Sequence, residues 1–131
     1  MSERIAACSC GQLTAKTRTD PIRVSVCHCL ACQRRTGSVF AAQARFRRDD
    51  VEVDGRSTSY VRTGDSGGRA TFRFCPDCGV TVYYTIDAQE DMIAIPVGVF
   101  ADPAFPAPVR SVYEERMHAW VQMPQEIEHE F

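Results

Sequence analysis

Ala70-Thr71-Phe72-Arg73-Phe74-Cys75-Pro76-Asp77-Cys78-Gly79-Val80-Thr81-Val82-Tyr83-Tyr84-Thr85-Ile86 reads as strand, turn, strand. Its flanks are β-branched and aromatic, as half-buried strands require. Between them Pro76 fixes one backbone angle and Gly79 tolerates a positive one. The C-P-x-C-G turn can therefore curl both sulfurs toward one ion while backbone amides face those sulfurs. At a Zn–S distance of about 2.3 Å such a loop supplies two corners of a tetrahedron. This hairpin, capped by a metal knuckle, predicts a mainly β, zinc-bound sheet domain.

Working outward, Cys8-Ser9-Cys10-Gly11 is a tighter version of the same turn. Cys8, Cys10, Cys75 and Cys78 together make four thiolates, the number a closed structural zinc site needs. A long segment separates the two pairs, so the metal would tie the N-terminus to the middle of the domain. The third cluster is Cys27-His28-Cys29-Leu30-Ala31-Cys32. Cys27 and Cys29 face one side of a strand end, and Cys32 returns from the first turn of a short helix expected over Cys29 to Arg35. Three sulfurs leave a fourth position open for water or substrate. A small thiol is the natural occupant, because zinc would hold it as a thiolate nucleophile at neutral pH. Three thiolates bind less firmly than four, so partial occupancy of this centre in the isolated protein stays open.

Other readings of the cysteines compete. Seven is an odd number, no signal peptide is visible, and Cys8 and Cys10 pair poorly with each other, all of which weigh against a disulfide framework. Cys75-Pro76-Asp77-Cys78 lacks the βαβ setting of a thioredoxin-type redox pair. Inert core thiols do not gather in groups with turn residues between them. His28 could close the second site as a fourth ligand, but two adjacent ligands make awkward geometry, and it reads better as a neighbour or hydrogen-bond partner. His118 and His129 read as ordinary surface or packing residues. Arg34 and Arg35 follow the open cluster and suit the carboxylates of a small thiol; a solvated basic turn is the alternative.

A chain of 131 residues with 44% hydrophobic and 24% charged residues fits one soluble domain, 1–131, with a core that needs no disulfides. A formal charge of −2 gives no general pull toward nucleic acid or an acidic membrane. No apolar run approaches the roughly 20 residues that span a bilayer. Free thiols without an export signal predict a cytoplasmic protein.

Strands are predicted over Leu13 to Thr17, Ile22 to Cys27, Val39 to Phe46, Val51 to Asp54, Thr58 to Arg62 and Met92 to Phe100. Asp54-Gly55 is a hairpin signal from which Thr58 to Arg62 returns, and Gly64-Asp65-Ser66-Gly67-Gly68 reads as a flexible loop. Phe40 and Phe46 read as core residues, and Arg45, Arg47 and Arg48 as a wet strand face. Pro103 to Pro108 should be extended, Val109 to Val121 with Trp120 should pack back on the sheet, and the acidic tail from Glu126 to Glu130 should be loose.

Taken together, Cys8-Ser9-Cys10-Gly11, Cys27-His28-Cys29-Leu30-Ala31-Cys32-Gln33-Arg34-Arg35-Thr36-Gly37-Ser38 and Arg73-Phe74-Cys75-Pro76-Asp77-Cys78-Gly79 resemble, in order and spacing, the glutathione-dependent formaldehyde-activating enzyme family, also described as centromere protein V-like. Arg116-Met117-His118-Ala119-Trp120 is similar to the region before the family's closing Trp, whereas Arg110-Ser111 stands where many members carry His-Ile. The resemblance implies a Mss4-like fold, a structural zinc on Cys8, Cys10, Cys75 and Cys78, and a catalytic zinc on Cys27, Cys29 and Cys32. It also implies addition of glutathione to formaldehyde, a carbon–sulfur lyase reaction in reverse. The family is broad and a metal site does not fix a substrate. A non-catalytic zinc-stabilised binding or metal-handling module is therefore the alternative, and the carbonyl, the thiol and the oligomeric state are left open.

Overall fold

The computed structural model describes residues 3–64 and 67–131. In chain order the described elements are β1 (Arg4–Ala7), β2 (Thr14–Thr17), β3 (Arg23–Cys27), α1 (Leu30–Thr36), β4 (Ala41–Arg47), β5 (Val51–Asp54), β6 (Thr58–Thr63), β7 (Arg69–Phe74), β8 (Thr81–Ile86), β9 (Met92–Pro96), β10 (Arg110–Val112) and β11 (Glu128–His129). They form a three-stranded sheet in the order β1-β2-β5 and an eight-stranded sheet in the order β11-β10-β3-β4-β9-β8-β7-β6. Pairing is antiparallel except at one edge, where β10 runs parallel to both β3 and β11. The mainly β fold is as the sequence predicts.

Period-two alternation places the core. Ala6 and Ala15 from the small sheet, with Leu13 just before β2, pack with Val24, Ala44, Phe46, Val82, Ile93 and Ile95 from the large one. Full burial of side chains such as Leu13, Phe46 and Ile95 stabilises by about 1.5–3 kcal/mol each. Phe100 and Phe105 stack at 4.6 Å and close one end of this core. A second, smaller cluster lies along one cross-strand row, Phe72↔Tyr84↔Ala94, and α1 lays Arg35 over its two rings.

Several expectations are corrected. Asp54-Gly55 does not close a hairpin: β5 pairs with β2 in the small sheet, whereas β6 pairs with β7 in the large one. The turn is instead a crossover between sheets, and Gly55 (φ +103) is demanded by close approach, since a Cβ there would lie 2.1 Å from the Gln12 carbonyl oxygen. The Met92–Pro96 strand stops at its proline, and Val97–Phe100 forms a 3-10 turn. Arg45 is half-buried with its Nε inaccessible, so it does not belong to a wet face with Arg47 and Arg48. Trp120 is 71% exposed and does not pack on the sheet. The first strand, Arg4–Ala7, carries no strong strand signal and exists because it pairs with β2. Gly64 and Gly68 join β6 to β7 through a 2.7 Å backbone hydrogen bond; Asp65 and Ser66 of the expected flexible loop lie outside the described residues.

Nor is the acidic tail loose. β11 adds to the sheet edge, Glu130 and Glu128 flank Arg110, and His129 Nδ1 meets Glu114 Oε2 at 2.6 Å. Tyr113, in the left-handed region at φ +56, reverses the chain after β10 so that Glu114 can reach this pair.

Two consequences are measurable. Gly55→Ala should destabilise by about 2 kcal/mol or more, through the positive φ and the backbone clash together. Gly11→Ala, where a Cβ meets nothing within 4 Å, should lose only the roughly 1 kcal/mol of its positive φ. Equal melting temperatures for the two variants would contradict the close-approach account.

The tail pair makes stability depend on pH. Burial pushes the Glu114 carboxyl up, but hydrogen bonds with His129 and Ser111 bring it below its ordinary 4.5; that contribution is present above pH 4.5 and lost as pH falls through the lowered value. The Glu114 hydrogen bond lifts His129 above its ordinary 6.5, so its contribution is complete below pH 6.5 and lost as pH rises through the raised value. The melting-temperature difference between the parent and His129→Gln should therefore be largest between pH 4.5 and 6.5. A difference that stays flat to pH 9 would refute the pairing.

Candidate metal centres

Two tight turns bring the first sulfur group together. In the N-terminal knuckle the Gly11 N–H donates to the Cys8 carbonyl at 3.0 Å, with Gly11 at φ +84, and the Leu13 N–H donates to Cys8 Sγ at 3.3 Å. In the second knuckle the Gly79 N–H donates to the Cys75 carbonyl at 2.8 Å, and the Asp77 N–H donates to Cys75 Sγ at 3.4 Å. The four sulfurs of Cys8, Cys10, Cys75 and Cys78 lie within 4.8 Å of one another and could hold a metal ion. Cys8–Cys10 and Cys10–Cys75 are each 3.6 Å apart, sulfur to sulfur. A tetrahedron with Zn–S bonds of about 2.3 Å has edges of about 3.8 Å, whereas a disulfide would require about 2.05 Å. All seven cysteines are free, which removes the disulfide alternative, and the spacing fits a metal ion.

This group is continuous with the hydrophobic core: Cys8 and Cys75 belong to the main cluster and Cys78 packs against it. Gln12, a residue the motif reading passed over, organises its surroundings. Its Nε2 donates to Cys75 Sγ at 3.0 Å and to the Arg56 carbonyl at 2.9 Å, while its Oε1 accepts the Arg56 N–H. Arg56 in turn pairs with Asp77 on the second knuckle. The crossover between sheets is thus fastened to both knuckles. Burial raises the Cys75 thiol, but the bonds from Gln12 and from backbone amides outweigh it and hold Cys75 down at about 6. At Cys10 the Gln12 backbone amide acts downward, yet neighbouring Cys8 and Cys75 push it up to about 11. Four such sulfurs carry their full negative charge together only with a cation among them.

Strand β3 ends on Cys27, and Cys29 caps α1, its sulfur accepting the Cys32 N–H at 3.3 Å. The sulfurs of Cys27, Cys29 and Cys32 lie within 4.8 Å of one another and can hold a second ion. They belong to a small cluster with Ala41 and Val112, outside the main core. The Cys27 hydrogen bond, Cys29 and the positive Arg35 and Arg62 hold Cys32 down at about 5 against burial, and Cys27 is driven upward by Cys32 and by burial.

His28 does not join the sulfur group. It is fully buried, and its Nε2 shares a 2.9 Å hydrogen bond with Ser111 Oγ; Ser111 also bonds Glu114. Residue 111, where the family pattern departs, therefore anchors the histidine between two of the cysteines. Gln33 Nε2 donates to the His28 carbonyl at 2.8 Å and to the Arg116 carbonyl at 3.1 Å, while its Oε1 meets His118 Nε2 at 2.9 Å. Through Gln33 the segment carrying His118 and Trp120 is tied to the helix that carries Cys32.

Arg34 and Arg35 both line a cleft of about 260 Å3 beside α1, whose other walls are Ala31, Tyr60, Arg62 and Phe72. Arg35 Cζ sits 4.8 Å from the Phe72 ring centre, and its Nε is buried without a hydrogen-bond partner among the described residues. Arg62 was not expected in this neighbourhood. Its only sequence signal is the i, i+2 spacing with Tyr60, which puts both on one face of a strand.

No helix among the described residues is long and apolar enough to cross a membrane. No curated protein matches the chain in sequence. Among solved structures, a crystal structure of a Rhodobacter sphaeroides protein is similar in fold, with a TM-score of 0.56 and 22% identity over 72% of this chain and 85% of that one. The sequence profile of the glutathione-dependent formaldehyde-activating enzymes matches residues 3–122, a span that holds both knuckles, the three-cysteine cluster and every wall of the arginine cleft. With its sulfur groups in that order on a Mss4-like sheet, the chain belongs to the glutathione-dependent formaldehyde-activating enzyme family.

Proposed function

We propose that residues 1–131 form a single zinc-binding domain that adds glutathione, or a similar small thiol, to formaldehyde or another small carbonyl. The observation that carries this reading is the contrast between the two sulfur groups. One has four cysteines merged with the core; the other has three, set apart from it, with Cys32 on the helix that also carries Arg34 and Arg35. Cys8, Cys10, Cys75 and Cys78 are assigned to a structural zinc, and Cys27, Cys29 and Cys32 to a catalytic one. Zinc at the second centre supplies Lewis acidity that keeps a bound thiol deprotonated at neutral pH. Free thiols throughout suit a reducing compartment, which favours the cytoplasm.

The chain's own residues bind and orient. Arg34 and Arg35 offer guanidinium groups to a substrate carboxylate. His28, whose pKa burial lowers against the opposing pull of Glu114, is hydrogen-bonded to Ser111 and braces the loop that carries Cys27 and Cys29. Gln33 fixes the far wall through His118 and Arg116. In the addition, the sulfur–carbon bond forms as the carbonyl π pair moves to oxygen, which takes up one proton and gives the S-hydroxymethyl product. This addition is easy without an enzyme, so the contribution asked of the protein is chiefly positioning. A carbon–sulfur lyase activity is the same step reversed.

Exchange spectroscopy of glutathione and formaldehyde with zinc-loaded protein tests the proposal. Exchange should accelerate with the parent protein and fall to the protein-free rate with Cys29→Ser, whose melting temperature should change little because Cys29 lies outside the main core. Equal rates in both, with no detectable glutathione binding, would remove the reading and leave a zinc-stabilised binding module.

A further inference from the structure

We infer that Arg62 on β6 and Arg35 on α1 form a clamp for one carboxylate of the thiol substrate, and that Arg62 selects acidic over neutral thiols. The inference rests on the three-cysteine centre being the thiol site. Two guanidinium groups lie against a single ring and line one cleft: Arg35 Cζ is 4.8 Å and Arg62 Cζ 5.0 Å from the Phe72 centroid. Stacking on an aromatic face fixes the plane of a guanidinium and leaves its in-plane N–H fork free. That fork matches a carboxylate in two-point geometry.

No carboxylate among the described residues faces this cleft, and the negative group that Arg35 and Arg62 act on is the Cys32 sulfur. Arg34, Arg35 and Arg62 have no acidic partner among the described residues, as is true of most arginines in the chain; what sets these three apart is that they line one cleft. An anion entering the cleft would be attracted by both Arg35 and Arg62.

Size and position set which part of the ligand enters. At about 260 Å3 the cleft is smaller than the roughly 300–1,000 Å3 of pockets that enclose a whole small ligand. It therefore takes one acidic end and leaves the thiol outside. Ala31, Arg34 and Arg35 share α1 with Cys32, so the cleft opens beside the three sulfurs. Tyr60, 63% exposed and directly opposite Phe72 across the strand pair, offers the apolar wall for the intervening chain.

Calorimetric titration of zinc-loaded protein with glutathione, S-methylglutathione and 2-mercaptoethanol tests the clamp in the parent, Arg62→Gln and Arg62→Lys. Arg62→Gln should weaken glutathione and S-methylglutathione alike by at least about tenfold and leave 2-mercaptoethanol unchanged. Arg62→Lys should restore only part of the loss, because the fork is gone. Should Arg62→Gln fold poorly, Arg35→Gln gives the same comparison. In turnover the effect should fall on KM for glutathione, with kcat within about twofold. Unchanged glutathione affinity in Arg62→Gln, or an equal loss for 2-mercaptoethanol, overturns the clamp. If glutathione and S-methylglutathione bind equally in the parent and both weaken in Arg62→Gln, the clamp stands and the thiol site does not.

Discussion

Four sulfurs gathered from opposite ends of a long segment, 3.6 Å apart where they touch, form the constraint around which the fold is arranged. Each knuckle alone is a short loop whose sulfurs would rather face solvent or titrate. Together they sit at the edge of the core, with Cys8 and Cys75 packed among Leu13, Ala15 and Val82. The two sheets meet here, and the β5–β6 crossover runs across the join under the grip of Gln12 and Asp77. Occupying this group with a metal ion would bind N-terminus, crossover and central hairpin in one step, which is why its binding energy would be folding energy.

The three-cysteine centre sits differently. It lies where β3 gives way to α1, beside the parallel edge formed by β10, in a small packed cluster with Ala41 and Val112 that is flanked by hydrogen-bonded polar side chains. His28, Ser111, Glu114 and His129 form a hydrogen-bonded series from between the cysteines to the surface, and Gln33 braces the opposite side. Buried polar networks hold one arrangement when satisfied. Arg35 Nε and His28 Nδ1, both nearby, are buried with no hydrogen-bond partner among the described residues.

What the sequence revealed was local. Knuckle residues declare themselves within five positions, and the strand–knuckle–strand hairpin and the short helix after Cys29 follow from spacing and turn chemistry alone. What it concealed was long-range or weak. Gln12 finds Arg56 and Cys75 only after folding, so no pattern around Gln12 announces it. Asp54-Gly55 carries a true local signal for reversal, yet the choice of partner sheet turned that reversal into a crossover. β11 is two residues long and acidic, and it exists because Arg110 and the β10 edge receive it. Arg62 looked like one arginine among many until β6 and β7 set it over Phe72.

Stepwise removal of metal from the fully loaded protein tests the central claim most directly, with zinc released and near-ultraviolet circular dichroism followed together. The first equivalent, drawn from the three-cysteine centre, should leave with the tertiary signal intact. The second should leave only as that signal collapses. Release of both equivalents from a protein that keeps its tertiary signal would contradict the account, and so would collapse on loss of the first.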